Sequence, residues 1–348
     1  MQVEVNVRGI DLEQVVEVAR RLEAAGVDVV ADGEIRRDPA VSLTMVAGAT
    51  SRIRIATAVT IAFARSPMVN AYTARNLHEL SRGRFSLGLG TQVKRHVQRR
   101  FSADWDRPGP RLRDHVRAIR DIWRAWDEGG SLEHRSDHYT IDLMTPEFDL
   151  GPNPHGAIDL AVAAVNPYNL ATAARYADTV RLHAFGTPAH LHEVVLPELD
   201  ANSDGVRPTV VGGGFVATGA DEAAVVEARE ASRARIAFYG TTRTYRPVLD
   251  HHGWGDLAVD LRSLADAGRW EELAAVVPDD VVDTFVTAAT YDRIAPAIAE
   301  RFAGLVDRVQ LPCPPIEADW EGFATAVDAI RSVPGGSRST PSDPDEAT

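Results

Sequence analysis

Lysine is almost absent. Of 37 basic residues only Lys94 is a lysine and the rest are arginine, a bias that fits the codon usage of a GC-rich genome. Cysteine is equally scarce. A single cysteine, Cys313, excludes an intrachain disulfide and a multi-thiolate zinc or iron–sulfur centre within one chain. Long apolar runs are missing too. The longest, Ile55 to Ala64, contains two threonines and is far shorter than the roughly 20 residues a membrane-spanning helix needs. Met1 to Arg8 has neither a basic nor an apolar signal region, so the expected location is the cytoplasm. Positive charge is in deficit, with 37 Lys and Arg against 50 Asp and Glu and a net charge of −13. That balance argues against nucleic acid and anionic membranes as partners and leaves a small molecule.

What is present is a repeating alternation. Val3–Val7 reads as a strand, and Asp11 with Gln14 reads as a capping box before a helix that ends at Gly26. Val27–Ala31 is strand 2. Asp38-Pro39 opens helix 2, Ile53–Ile61 is strand 3 and Ser66-Pro67 opens helix 3. Arg84–Leu89 is strand 4, followed by one long basic helical region, about Val93 to Trp126. Ala157–Ala164, Thr179–Ala184, Thr209–Ala217 and Val306–Leu311 are strands 5 to 8. Eight strand–helix units without hairpin signals between successive strands predict an α/β fold with a parallel sheet closed as a (β/α)8 TIM barrel. The expected single domain covers residues 1–333, with a short hairpin at Glu133–Ile141 and an insertion of about 241–286 after strand 7. Residues 334–348 read as a disordered tail rich in Pro, Ser, Gly and Asp.

In such barrels the site lies at the C-terminal ends of the strands. Here these ends read Asp32-Gly33-Glu34, Ala58-Val59-Thr60, Gly88-Leu89-Gly90-Thr91-Gln92, Ala163-Ala164-Val165-Asn166-Pro167 and His183-Ala184-Phe185. Carboxylates and histidines are too few for a metal-assisted hydrolase, so no metal is expected. The only two carboxylates, Asp32 and Glu34, share one strand, which does not suit a glycosidase. No nucleophile elbow, P-loop or Gly-x-Gly-x-x-Gly turn occurs. Small residues let a flat ligand approach the backbone, so a bound cofactor that carries the reaction is the better reading. Charge agrees locally: between Gln92 and Arg124 there are ten basic residues and four acids. The rim end, Lys94 to Arg100, would attract an anionic ligand.

These segments resemble the luciferase-like oxidoreductases, in the branch that uses coenzyme F420. The resemblance rests on Ile53-Arg54-Ile55-Ala56-Thr57-Ala58-Val59, Arg65-Ser66-Pro67-Met68, Leu77-His78-Glu79-Leu80-Ser81-Arg82-Gly83-Arg84-Phe85 and Leu87-Gly88-Leu89-Gly90. It implies a cofactor across strands 3 to 5, coenzyme F420 or alternatively FMN, and a hydride transferred to or from a small organic substrate. The FMN alternative implies a monooxygenase that uses oxygen. It implies a non-proline cis peptide at Ala58–Val59 behind the cofactor ring, with Thr60, Gly88, Gly90, Gln92 and Val93 beside it. Ala163, Ala164, Val165 and Asn166 match the turn whose amides hold the cofactor phosphate. Glu34 matches an acidic residue facing the cofactor, and a homodimer through helices 2 and 3 is expected. The strand 2 histidine of relatives is absent, Ile35 and Arg37 standing in that region. A catalytically silent cofactor-binding barrel is therefore a further alternative. Glu34 and His96 are the candidate catalytic residues, with a salt bridge to Arg36, Arg37 or Arg65 and an exposed helix position as their respective structural alternatives. His183 and Tyr239 are candidate substrate contacts, with Tyr245, His251 and His252 beside them in or under the insertion.

Overall fold

The structure is a computed structural model that describes residues 1–336. Among these residues, eight parallel strands close into a barrel: β1 (Gln2–Asn6), β2 (Val29–Asp32), β3 (Arg54–Thr57), β4 (Phe85–Gly90), β5 (Asp159–Ala164), β6 (Thr179–Leu182), β7 (Thr209–Gly212) and β8 (Arg308–Leu311). Each strand pairs with its sequence neighbours, and β1 pairs with β8 to close the ring. The (β/α)8 TIM barrel read from the alternation is the fold observed.

Local signals explain the register. Asp38 accepts the Ala40 amide at 2.9 Å with Pro39 in the first helical turn, and Ser66 accepts the Val69 amide at 3.2 Å ahead of Pro67. Gly26 ends the first helix at φ +80°, a conformation costly for any residue with a Cβ. The Asp11 capping box does not form. Its side chain makes no cap bond, and its backbone carbonyl closes the first turn by accepting Gln14 and Val15.

Two further segments depart from the sequence reading. The long basic helix is two helices, Lys94–Arg100 and Pro108–Glu128. Ser102 and Arg107 between them adopt positive φ, and Pro108 cannot donate the amide that an unbroken helix requires. The strand read as Thr209–Ala217 breaks at Gly213 and Gly214, φ +104° and +66°. Its second half, Phe215–Gly219, leaves the barrel and pairs in parallel with Val286–Thr290. The hairpin at 133–141 is present as His134–Arg135 against Thr140–Ile141. Of the expected tail, Gly336 donates to Val306 and Pro334 accepts from Gly304, so 334–336 lie along the barrel, and 337–348 lie outside the described residues.

The apolar core has three parts. The largest lies between the barrel and its helices and includes Val3, Val5, Leu43, Ile55, Leu87, Leu89, Ile119 and Phe323. A second, with Phe185, Phe215, Leu249, Leu261, Val282 and Phe285, joins the insertion to the end of β6 and to the helix Glu222–Gly240. Inside the barrel Val29, Ala31 and Ala56 form a small cluster. Beside it the interior holds a buried charge network. Glu4 on β1 is fully buried between Arg181 on β6 and Arg308 on β8; Arg308 donates to it at 3.3 Å, Gln310 donates at 2.9 Å, and Arg181 makes a short ion pair. Burial alone would raise the Glu4 pKa, but the two guanidiniums more than reverse this and hold its carboxyl below the usual range.

Candidate functional site

At the C-terminal mouth the ends of β2, β3, β4 and β5 meet. The peptide Ala58–Val59 is cis, at the position the family resemblance implies. It is tied to the end of β2: Ala58 N donates to Asp32 O at 2.6 Å and Glu34 N donates to Val59 O at 3.2 Å. Close packing demands glycine at three places. A Cβ on Gly33 would lie 2.6 Å from Ala58 O, and one on Gly88 would lie 2.1 Å from Thr57 O. One on Gly90 would lie 2.7 Å from a Val59 methyl and 3.5 Å from Ala163 Cβ. Thr57 completes the join, its hydroxyl accepting Gly88 N at 2.8 Å and donating to Gly88 O at 2.9 Å. Ala58, Val59 and Ala163 remain half-buried around this floor, whereas Thr60 is buried and pairs with Leu89.

Beyond β5, Ala164 is buried and Val165 is exposed. Asn166 caps the helix Pro167–Tyr176 by accepting Asn169 N at 2.9 Å. Beyond β4, Gln92 adopts φ +57° and its side chain accepts the Val93 amide, while Val93 itself is exposed.

Glu34 is committed to structure. Its carboxylate accepts Arg65 Nη1 and the Ile61 amide, both at 2.8 Å, and Arg65 also donates to Asp38 at 2.8 Å. The ion pair weighed in the sequence is thus the one with Arg65, and through Ile61 it anchors the segment after the cis bond. Asp32, fully buried, accepts Gly33 N at 2.8 Å and the Ser42 hydroxyl; burial raises its pKa and these bonds only partly offset that. His96 is exposed on the helix Lys94–Arg100 and is not drawn into this cluster. On that helix Lys94, Arg95 and Arg99 are exposed and make no ion pair among the described residues, whereas Arg100 donates to Ile35 O at 2.6 Å. Farther along, Arg120 pairs with Asp178 and Arg124 with Asp121.

A second cluster forms where the end of β6 meets the helix Glu222–Gly240 and the insertion. His183 packs against Tyr239 and Tyr245, with ring centroids 4.4 Å and 4.7 Å away. Its Nδ1 accepts the Phe185 amide at 2.9 Å. Burial, with Arg235 and Arg8 nearby, pushes its pKa down to about 4. A backbone N–H only donates, so Nδ1 is unprotonated and the neutral ring carries its proton on Nε2. Tyr245 is kept a neutral donor, burial and Tyr239 both raising its pKa. His251 and His252 lie elsewhere: His252 stacks on Trp254 and hydrogen-bonds the Thr187 hydroxyl, and His251 pairs with Glu193.

Arg8 and Arg235 were not singled out in the sequence. Arg8 follows β1, so its place at a strand end is the signal that marks it. Arg235 sits mid-helix, where nothing in the local pattern marks it.

The model of the luciferase-like monooxygenase family matches residues 2–308. This chain belongs to that family. An uncharacterized protein of Mycobacterium tuberculosis is 37% identical over 307 residues, covering 86% of this chain and 89% of that protein. A phthiodiolone/phenolphthiodiolone dimycocerosates ketoreductase of Mycobacterium sp. is 30% identical over 266 residues, covering 72% and 67%. The coenzyme F420 dependent tetrahydromethanopterin reductase of Methanopyrus kandleri superposes with a TM-score of 0.73 at 20% identity, covering 96% and 98%, which shows the shared fold. Among the described residues no helix is long and apolar enough to cross a membrane.

Proposed function

We propose that this luciferase-like protein is an oxidoreductase that moves a hydride between coenzyme F420 and a small organic carbonyl or alcohol. The observation that carries the reading is the floor at the ends of β3 to β5, where Gly90 leaves no room for a Cβ beside Val59 and Ala163. A flat tricyclic ring fits against such a surface. Ala58, Val59, Gly90 and Ala163 would support it, and the turn at Val165 and Asn166 would offer amides to its phosphate. The unpaired Lys94, Arg95 and Arg99 would receive its anionic tail. The ketoreductase relative supports carbonyl chemistry, and the tetrahydromethanopterin reductase supports the deazaflavin.

When bound, the deazaflavin supplies a two-electron hydride equivalent, the carbonyl carbon being reduced while its oxygen gains a proton. The chain orients and excludes water. His183 holds its proton at Nε2 and is the hydrogen-bond donor suited to a substrate oxygen. Glu34 is a positioning residue that fixes Ile61 through its pairing with Arg65.

A second reading, an FMN-dependent monooxygenase using oxygen, is favoured by the description of the family itself. Titration of the purified protein with coenzyme F420 and separately with FMN, followed by fluorescence and absorbance, separates the two. Saturable micromolar binding of the deazaflavin supports the proposal, and saturation by FMN alone overturns it. Tight binding without turnover on a broad carbonyl panel, unchanged in Glu34→Gln and His96→Ala, would instead identify a silent cofactor-binding barrel. The proposal includes a homodimer formed through helices 2 and 3.

A further inference from the structure

Resting on that substrate site, we infer that the substrate carries an oxyanion, a carboxylate or a phosphoryl group, held by Arg8 and Arg235 beside His183. Two guanidiniums from distant parts of the chain converge there. Arg8 follows β1, and Arg235 lies on the helix Glu222–Gly240. Both act electrostatically on His183, and Arg8 acts on Arg235.

Neither makes an ion pair among the described residues, although acids are abundant in this chain. The contrast is sharp on a single helix. Arg229 reaches Asp283 at 2.6 Å and Arg233 reaches Glu230 at 2.8 Å, but Arg235, two residues on, meets no acid. Instead its guanidinium carbon lies 4.8 Å above the Phe215 ring. Stacking occupies the face of the guanidinium and leaves its in-plane N–H donors free for a bidentate acceptor. Arg235 is exposed, and desolvation of its guanidinium together with nearby Arg8 lowers its pKa from the usual arginine value.

The surroundings offer donors. His183 presents Nε2–H, and the hydroxyls of Tyr239 and Tyr245 make no hydrogen bond among the described residues. Asp32, whose carboxyl feels the charge of Arg8, is already bound to Ser42 and the Gly33 amide, and burial raises its pKa. A neutral substrate would leave both guanidiniums without an anionic partner beside His183. A carboxylate or phosphoryl group satisfies both, and the Tyr239, Tyr245 and Phe185 rings cover the organic part. The cofactor's own anionic tail does not explain this pair. By strand order β1 lies across the mouth from β5, away from Lys94, Arg95 and Arg99.

The test uses the cofactor-free protein and isothermal titration with benzoate, benzamide and inorganic phosphate, at low and high salt. Saturable binding of benzoate with at least tenfold weaker binding of benzamide is expected. Arg8→Gln and Arg235→Gln should each weaken benzoate about tenfold or more while coenzyme F420 titration is unchanged. Saturation by phosphate and not by benzoate keeps the anion site and assigns it to a phosphorylated substrate. Equal binding of benzoate and benzamide, or no binding of either anion, overturns the inference. Because Arg8 is exposed and the benzoate–benzamide comparison needs no variant, a folding defect in Arg235→Gln does not remove the test. Anion binding without deazaflavin binding would sink the proposed function alone; deazaflavin binding without anion binding would sink this inference alone.

Discussion

Replacing Glu4 with glutamine probes the charge network that fills the lower barrel. Glu4 is fully buried, and Arg181 and Arg308 are each 4% exposed. The carboxylate is their shared counter-ion, and Arg181 Nη1 already lacks a partner. A neutral amide of the same size leaves two buried guanidiniums facing each other without their shared counter-ion, with only Asp159 acting on Arg308 from farther away. Breaking a buried pair in this way costs about 3–5 kcal/mol. Denaturant titration of wild type and Glu4→Gln reads the loss as a lower midpoint. The double variant with Arg181→Met removes one of the stranded charges, so its loss should be smaller than the sum of the single losses. The pH dependence has a definite sign. The folded pKa of Glu4 lies below its unfolded value near 4.5, so its contribution is present above that pH and is lost as pH falls through the folded value. A Glu4→Gln loss under about 1 kcal/mol that adds independently to Arg181→Met would refute the reasoning, since buried unpaired charges cannot be that cheap.

Other consequences are equally direct. Gly90→Val should abolish saturable cofactor binding with the barrel still folded by circular dichroism, because the new side chain must displace Val59 and raise the floor; undiminished affinity would show that the cofactor does not rest there. Arg65→Ala should weaken cofactor binding several-fold by releasing Glu34 and the Ile61 segment, measured by fluorescence titration. His115, buried with its pKa pushed down to about 3 by burial and Arg111, makes folding favour the neutral ring. Stability should therefore fall as pH drops from about 6.5 toward 3, and His115→Gln should flatten that slope in denaturant titrations across the range. His183→Phe should lower kcat for carbonyl reduction at least tenfold while leaving cofactor affinity within about twofold, a split visible in steady-state kinetics and binding.

The barrel was legible because period-2 apolar strands and Pro-capped helices such as Asp38-Pro39 and Ser66-Pro67 are local signals. The floor was partly legible: Gly88, Gly90 and Ala163 at strand ends announce a close approach, although the sequence does not say that Val59 is what Gly90 admits. Glu34 shows the limit. Arg36, Arg37 and Arg65 are all candidate partners in the sequence, and only the closed barrel selects Arg65, 31 residues away. The buried network of Glu4, Arg181 and Arg308 joins strands 1, 6 and 8, and charges at inward-facing strand positions are its only trace in the sequence. The break at Gly213–Gly214 was hidden because the apolar residues on both sides keep strand character, although the second half pairs with a strand more than 60 residues later.

The central claim is that the floor around Gly90 receives a deazaflavin. Fluorescence titration of the purified protein with coenzyme F420, run in parallel with Gly90→Val and with FMN as competitor, measures it most directly. The account predicts saturable binding by the wild-type chain, its loss in Gly90→Val and little displacement by FMN. Absence of saturable binding in the wild-type chain, or equal binding in the variant, would contradict it.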